Sequence, residues 1–145
     1  METLENVRLE REFPVSPETL FGFVSTPEGL LQWWGPEGMT VPEHEMDFTR
    51  LGPWFSVMLN PDGRRFKVSG QVTHVDPPKS VGFTWAWHDE GDRRGFESHV
   101  TMTVSATDRG AHLVIDHRGL PDAEAAQNHT EGWTSSLRKL ERQAA

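Results

Sequence analysis

Alternation between apolar and polar residues, sustained over most of the chain, constrains the fold more than any other feature. Val7, Leu9 and Phe13 alternate with polar or charged residues near the start, and short alternating runs continue from about residue 39. A period of two is typical of strands with one buried face. A helix-like stretch follows from roughly residue 123. We therefore predict an α+β fold in which a curved antiparallel sheet of six or seven strands wraps around a long C-terminal helix.

Two short helices are predicted directly after the first strand. Ser16-Pro17-Glu18 combines a hydroxyl N-cap, a proline at the first helical position and an acid in the first turn. Thr26-Pro27-Glu28 repeats this signal, and the second helix is predicted to include Trp33-Trp34. Because adjacent helical residues face different directions, we expect Trp34 or Trp54 to be partly exposed.

The inner face of each strand is predicted from its alternating apolar residues. These inner sets are Phe55, Val57 and Leu59, then Phe66, Val68 and Val72, and then Val81, Phe83, Trp85 and Trp87. Arg11 is an anomaly, because it falls on the apolar face of the first strand, where a buried charge needs a partner. We expect a nearby acid or carbonyl to be that partner; the alternative is an anchor for a ligand carboxylate.

The last two strands are predicted to form a tight hairpin around Asp108-Arg109. This turn places Val100 opposite His117 and Met102 opposite Ile115, and directly opposed residues point to the same side of a sheet. The register therefore brings His117 to the apolar side. His99, His112 and Asp116 go to the other side.

The C-terminal helix carries one apolar stripe, with Asp122 as a plausible N-cap. The stripe consists of Ala125, His129, Trp133, Leu137 and Leu140. Gly132 lies beside it, although a glycine inside a helix costs about 1 kcal/mol relative to alanine. A glycine there indicates close approach of something to the helix.

Composition limits the classes of partner. The chain has 145 residues, a formal charge of -8 and no cysteine. We expect one domain, residues 1–145, without thiol chemistry or cysteine-based metal sites. The acidic balance argues against nucleic acid and anionic membranes as partners.

No apolar run is long enough to span a membrane, and the N-terminus does not look like a signal peptide, so a cytoplasmic location is expected.

An ordered set of short motifs resembles a known family, the small bacterial members of the family named for the activator of heat-shock protein 90 ATPase. That family lies within the START-like (Bet v 1-like) superfamily. The motifs are Arg11 with Ser16-Pro17-Glu18, Thr26-Pro27-Glu28, Trp33-Trp34-Gly35-Pro36, Gly52 with Trp54, Pro61-Asp62-Gly63, Gly70, Asp76-Pro77-Pro78, Phe83-Thr84-Trp85, and His129 with Gly132-Trp133, Leu137 and Leu140. The resemblance implies a helix-grip fold with a cavity between the sheet and the last helix.

The superfamily includes carriers of hydrophobic ligands, cyclases and hydrolases, and co-chaperone domains, so the fold alone gives no reaction. Our leading hypothesis is a binder of a small hydrophobic or aromatic molecule. The alternatives are a chaperone partner and an enzyme of the cyclase or hydrolase type that uses His117 or His129. The candidate ligand residues are Arg11, Phe55, Val68, Trp85, Trp87, Met102, His117, His129 and Trp133.

Other kinds of chemistry lack a signal in the sequence. The seven histidines show no metal-ligand pair at helical spacing, so we predict neither a metal site nor a cofactor. No Ser-His-Asp arrangement, nucleophile elbow or phosphate-binding glycine loop is apparent, and no catalytic residue is predicted. The two inward histidines also have a simpler interpretation, as structural side chains hydrogen-bonded within the core.

Overall fold

Within residues 4–145, which the computed structural model describes, seven antiparallel strands form one sheet and three helices accompany it. The elements are β1 (Glu5–Phe13), α1 (Pro17–Ser25), α2 (Pro27–Leu31), β2 (Thr40–Glu45), β3 (Gly52–Leu59), β4 (Arg65–Asp76), β5 (Ser80–Trp87), β6 (Ser98–Thr107), β7 (Gly110–Leu120) and α3 (Ala123–Gln143). The strand order is β1-β7-β6-β5-β4-β3-β2. The predicted helix-grip fold, with two short helices after the first strand, is confirmed.

The helices begin where the capping residues predict. The Ser16 hydroxyl accepts a hydrogen bond from the Thr19 amide at 3.1 Å, and the Thr26 hydroxyl accepts one from the Gly29 amide at 3.0 Å. Asp122 caps α3 by accepting from the Ala125 amide at 2.8 Å. Each cap pairs a backbone donor that the first helical turn leaves free.

The core lies between the inner face of the sheet and the buried stripe of α3. Trp133, Leu137 and Leu140 of that stripe are buried, and they belong to the same apolar cluster as the inner residues of the strands. The β6–β7 hairpin has the predicted register, with Val100 opposite His117. No helix within the described range is long and apolar enough to cross a membrane.

The prediction that Trp34 or Trp54 is partly exposed is wrong, since each is only 2% exposed. Helix α2 ends at Leu31, so Trp33 and Trp34 lie in the following turn, where adjacent side chains can both point inward. The Trp33 indole N–H donates to the Phe23 carbonyl at 2.8 Å, and that of Trp34 donates to the Ser56 hydroxyl at 2.9 Å.

The predicted inner face of β3 is also wrong. Trp54 and Met58 belong to the core cluster, whereas Phe55 does not. The pairing of β3 with β4 agrees, because Met58 lies opposite Phe66 and Phe55 lies opposite Ser69. Both faces of β3 carry apolar residues, so alternation alone could not distinguish them. Phe55 therefore lies on the outer face, away from the other candidate residues.

Candidate functional site

A cavity of about 200 Å³ lies between the inner face of the sheet and helix α3. Aromatic rings and methionines form most of its wall, and few polar side chains reach it. The lining residues are Trp34, Gly35, Pro36, Met39, Met58, Phe66, Trp85, Trp87, Asn128, His129, Gly132, Trp133 and Ser136. Such an apolar hollow with few polar groups has the general character of a small-molecule site.

Gly132 explains why α3 leaves this space open. A side-chain carbon built at Gly132 would have only one neighbour within 4 Å, the Pro36 ring at 3.9 Å. No atom of the described residues is near enough to require the missing side chain, so the predicted close approach is not made by the protein itself and stays a prediction. The glycine lies at the cavity wall, and its absent side chain adds to the open volume.

His117 forms the centre of a buried hydrogen-bond chain behind the cavity wall. The Trp133 indole N–H donates to His117 Nδ1 at 3.1 Å, so the imidazole proton is on Nε2. Nε2 in turn lies 2.7 Å from the Ser98 hydroxyl, which can donate to the Trp85 carbonyl at 3.4 Å. Burial, with smaller contributions from His129 and His99, lowers the pKa of His117 to about 2. His117 is thus a neutral side chain whose two nitrogens are already bonded.

His129 differs from His117 because it lines the cavity. Its centroid lies 4.2 Å from that of His117, and it stacks on Trp87 at 6.0 Å with an interplanar angle of 25°. Burial lowers the pKa of His129 to about 4, so the ring is neutral near pH 7. No hydrogen bond joins it to another residue of the described part of the chain. A neutral imidazole can donate one hydrogen bond and accept another.

Trp85 carries the second unused polar group of the cavity wall. Its indole nitrogen is buried and has no hydrogen-bond partner among residues 4–145. An unpaired buried donor costs about 1–3 kcal/mol. Trp85 also packs edge-on against His129, with ring centroids 5.5 Å apart. The two residues therefore place unused hydrogen-bonding capacity on adjoining side chains of the wall.

The turn that covers one side of the cavity is fastened to α3 by charged and polar contacts. The Glu37 carboxylate bonds Arg138 Nε at 2.9 Å and Arg142 Nη2 at 2.7 Å. The Glu37 amide donates to the Ser135 hydroxyl at 2.8 Å, and Lys139 Nζ donates to the Trp34 carbonyl at 3.0 Å. These contacts hold Gly35–Met39 beside the helix.

Residues 14–145 match the family described as "Activator of Hsp90 ATPase homolog 1-like protein". The chain belongs to this family. Among curated proteins, none was found to match it.

Solved structures agree with membership of the Activator of Hsp90 ATPase homolog 1-like family. A crystal structure of the AHSA1 protein from Silicibacter pomeroyi is 63% identical, covers 96% of each chain and has a TM-score of 0.93. A protein from Chromobacterium violaceum is 25% identical over 96% of each chain, with a TM-score of 0.84. A protein from Mycobacterium smegmatis, 20% identical with a TM-score of 0.80, covers 99% of this chain and 96% of its own and shows the shared fold alone.

In this member of the Activator of Hsp90 ATPase homolog 1-like family, the sequence-predicted residues occupy four environments. Trp85, Trp87, His129 and Trp133 line the cavity. His117, Met102 and Val68 are fully buried and do not line it. Phe55 lies on the outer face. Arg11 contacts the Glu141 carboxylate at 3.6 Å and the Glu10 carbonyl at 2.7 Å, as expected for a structural arginine.

Sequence patterns missed several cavity residues of this family member. The alternating pattern assigns Met58 to no face, and it places Phe66 inward without marking it as a site residue; the two lie opposite each other in the β3–β4 pair. The turn after α2 contributes Pro36 and Met39. On α3, Gly132 adds to the signal from His129 and Trp133, because its conformational cost has no local reason.

Proposed function

We propose that this protein binds a small aromatic or hydrophobic molecule in the cavity between the sheet and α3. The observation that carries the proposal is Gly132 at the cavity wall: the position has room for a side chain, and a glycine there weakens the helix. A glycine that lowers helix stability without a packing reason is expected where the open space is needed to hold a ligand. Apolar burial supplies the affinity.

The size of the cavity supports a ligand of one or two rings. An engineered apolar cavity of about 150 Å³ accommodates benzene, so a cavity of about 200 Å³ suits a somewhat larger ring system. Trp87 borders the cavity and is 39% exposed, which provides an entrance beside its ring. A long acyl chain would have to extend beyond this volume.

The polar groups of the wall support a neutral ligand with one donor or acceptor. His129 is neutral near pH 7, and an ionised ligand would lose its hydration without gaining a charged partner. A ring N–H or hydroxyl can pair with the His129 imidazole. A ligand acceptor can receive a hydrogen bond from the buried indole N–H of Trp85 once small rotations of the lining side chains give it access to that group. Indole and naphthol combine the required size and polarity.

Two-dimensional ¹H–¹⁵N NMR tests the proposal directly, because indole N–H resonances report on the tryptophans of the wall. Titration with indole is expected to give saturable shifts for Trp85, Trp87 and Trp133. Gly132→Leu fills the cavity and should abolish these shifts. Glu131→Leu adds the same side chain at an exposed neighbouring position and should preserve them.

Two outcomes contradict the proposal. One is the absence of saturable shifts with indole and naphthol at millimolar concentration. The other is equal binding by the Gly132→Leu variant and the unmodified protein, since the ligand would then bind elsewhere. Circular dichroism of both variants confirms that the comparison is between folded proteins.

A further inference from the structure

A second group of polar side chains lies on the outer face of β4 and β5, away from the cavity. Val68 is buried and its strand partner Trp87 borders the cavity, so the next residues, Ser69 and His88, lie on the opposite face of the sheet. The Ser69 hydroxyl lies 2.6 Å from His88 Nε2, and His88 Nδ1 lies 2.8 Å from Asp92 Oδ1. The expectation that no Ser-His-Asp arrangement is present is therefore wrong. Strand pairing creates it, which is why no local motif revealed it.

The hydrogen bonds fix where the protons are. A carboxylate only accepts hydrogen bonds, so His88 Nδ1 carries the imidazole proton and donates a hydrogen bond to Asp92. His88 Nε2 is then an acceptor, and the Ser69 hydroxyl donates to it. Arg94 Nε donates to the Ser69 oxygen at 3.0 Å. This is the order of a nucleophile, its general base and the group that orients the base.

The environment keeps Asp92 charged and in place. Lys67 Nζ lies 3.0 Å from Asp92 Oδ1, and Lys67, followed by His88, lowers the pKa of the Asp92 carboxyl. Asp92 is the one non-glycine residue with positive φ, 62°, in the described part of the chain. The Asp89 carboxylate holds this turn by accepting from the Gly91 and Arg93 amides. Strained conformations of this kind concentrate at functional sites.

An open depression of about 290 Å³ gives access to these groups. Phe55 forms an apolar part of its wall beside Ser69, and Lys67, Gln71 and Arg94 supply polar parts. His88 is shielded, with only 10% of its side chain exposed. Nucleophilic catalysis needs a base within hydrogen-bond reach of the nucleophile, and His88 Nε2 lies 2.6 Å from the hydroxyl of Ser69, which lines the depression.

We propose that Ser69, His88 and Asp92 form a hydrolytic site for small carboxylic esters, independent of the ligand cavity. Ser69 Oγ attacks the ester carbonyl carbon while His88 Nε2 takes the hydroxyl proton. The guanidinium of Arg94 stabilises the negative charge on the carbonyl oxygen. As the C–O bond of the ester breaks, His88 gives its proton to the departing alkoxide, which leaves as an alcohol. Asp92 is the positioning residue.

The second half of the reaction restores the protein. His88 Nε2 takes a proton from water, the resulting hydroxide attacks the acyl-serine carbon, and Ser69 leaves with the proton that His88 returns. One ester and one water thus give one acid and one alcohol, and no other reactant is needed. Phe55 provides an apolar surface for the acyl or alcohol group.

Labelling with a fluorophosphonate tests the reactivity of Ser69, because such reagents phosphonylate activated serine hydroxyls. The chain offers a matched internal control in Ser80, whose hydroxyl lies 2.6 Å from His74 Nε2. No carboxylate contacts His74 within the described residues. Trypsin separates Ser69 from Ser80 by cleaving after Lys79, so mass spectrometry assigns the label. We expect Ser69 to be labelled at least a hundredfold faster than Ser80.

Variants and one NMR measurement separate catalysis from a structural network. Ser69→Ala should abolish labelling of its peptide, and His88→Gln should slow labelling about a hundredfold. In the ¹H–¹⁵N spectrum the His88 ring should be protonated on Nδ1. Asp92→Asn should lose that tautomer and slow the labelling of Ser69. Asp92→Glu should partly restore both the tautomer and the labelling rate. Hydrolysis of p-nitrophenyl acetate should follow the same order.

The proposal is overturned if Ser69 in the unmodified protein reacts no faster than Ser80. It is equally overturned if His88→Gln is labelled at the unmodified rate. Gly132→Leu should not change the labelling rate, so failure of the ligand cavity and failure of this site are distinguished.

Discussion

His117 and Trp133 are joined by a hydrogen bond of 3.1 Å, donated by the indole nitrogen to Nδ1, which ties β7 to α3 inside the core. The bond fixes the imidazole tautomer and, through Nε2, pairs the buried Ser98 hydroxyl. One side chain therefore satisfies two other buried polar groups and orients a wall of the cavity. His117 is fully buried and does not line the cavity, so its two hydrogen bonds serve the core.

Replacement of His117 should strongly destabilise the protein. His117→Ala removes a buried ring and leaves the Trp133 indole and the Ser98 hydroxyl without their partner, so we expect the free energy of unfolding to fall by about 2–4 kcal/mol. Urea denaturation measures this change. His99→Ala, at an exposed position of the neighbouring strand, is the control and should change it by less than about 0.5 kcal/mol. Equal effects of the two variants would contradict the structural role of His117.

The two buried imidazoles predict a pH dependence of stability. Their pKa values, about 2 for His117 and about 4 for His129, lie below the ordinary value of 6.5. Below pH 6.5 the unfolded chain therefore binds more protons than the folded chain. The stability contributed by the two neutral imidazoles is fully present above pH 6.5. It falls as the pH decreases toward their pKa values in the folded protein, by about 1.4 kcal/mol per pH unit for each histidine.

Urea unfolding between pH 6 and pH 5 isolates this effect, because carboxylates with lowered pKa values lose stability only at lower pH. His129→Gln should reduce the slope by about 1.4 kcal/mol per pH unit. Gln127→Ala, an exposed change of a residue without a titrating group on the same helix, is the control and should leave the slope unchanged. An identical slope in the His129 variant would show that His129 is not buried as a neutral ring.

Features fixed by local interactions could be predicted from the sequence. The caps at Ser16, Thr26 and Asp122 depend only on residues within one helical turn, and all three form. The β6–β7 register follows from a tight turn and one alternating pattern, which is why the opposition of Val100 and His117 was correct. The fold class depends mainly on such features.

Features decided by tertiary packing could not be predicted in the same way. Strand β3 has two apolar faces, so the inward position of Met58 and the outward position of Phe55 depend on pairing with β4. The contact between Ser69 and His88 likewise joins two strands and has no local pattern. At the cavity, the stripe of α3 correctly suggested His129 and Trp133 as neighbours. Their role as ligand residues stays a prediction.

Two helical glycines should respond to alanine in opposite directions. Gly132→Ala meets only the Pro36 ring at a normal contact distance, so we expect the unfolding free energy to rise by about 1 kcal/mol. A side chain at Gly29 would instead collide with the backbone of Gly22 and Phe23 of α1. Gly29→Ala should lower the unfolding free energy by about 1–3 kcal/mol. Thermal unfolding of both variants measures the contrast, and destabilisation by Gly132→Ala would refute the open space assigned to that position.

Neutralising Glu37 should loosen the turn that covers the cavity. Its carboxylate bonds Arg138 and Arg142, and these arginines, Arg138 first, lower the pKa of the Glu37 carboxyl. Glu37→Gln removes the charge while keeping the shape. Amide hydrogen exchange should become several-fold faster at Glu37 and Met39, whose amides donate to Ser135 and Pro36.

Glu131→Gln, an exposed change elsewhere on α3, is the control for this effect and should leave both exchange rates unchanged. Added salt should accelerate exchange at the same two amides in the unmodified protein, because exposed ion pairs are screened over a Debye length of about 8–10 Å. The Glu37→Gln variant should lack this salt response. If the unmodified protein and the variant exchange alike at Met39, the ion pairs of Glu37 do not hold the turn against α3.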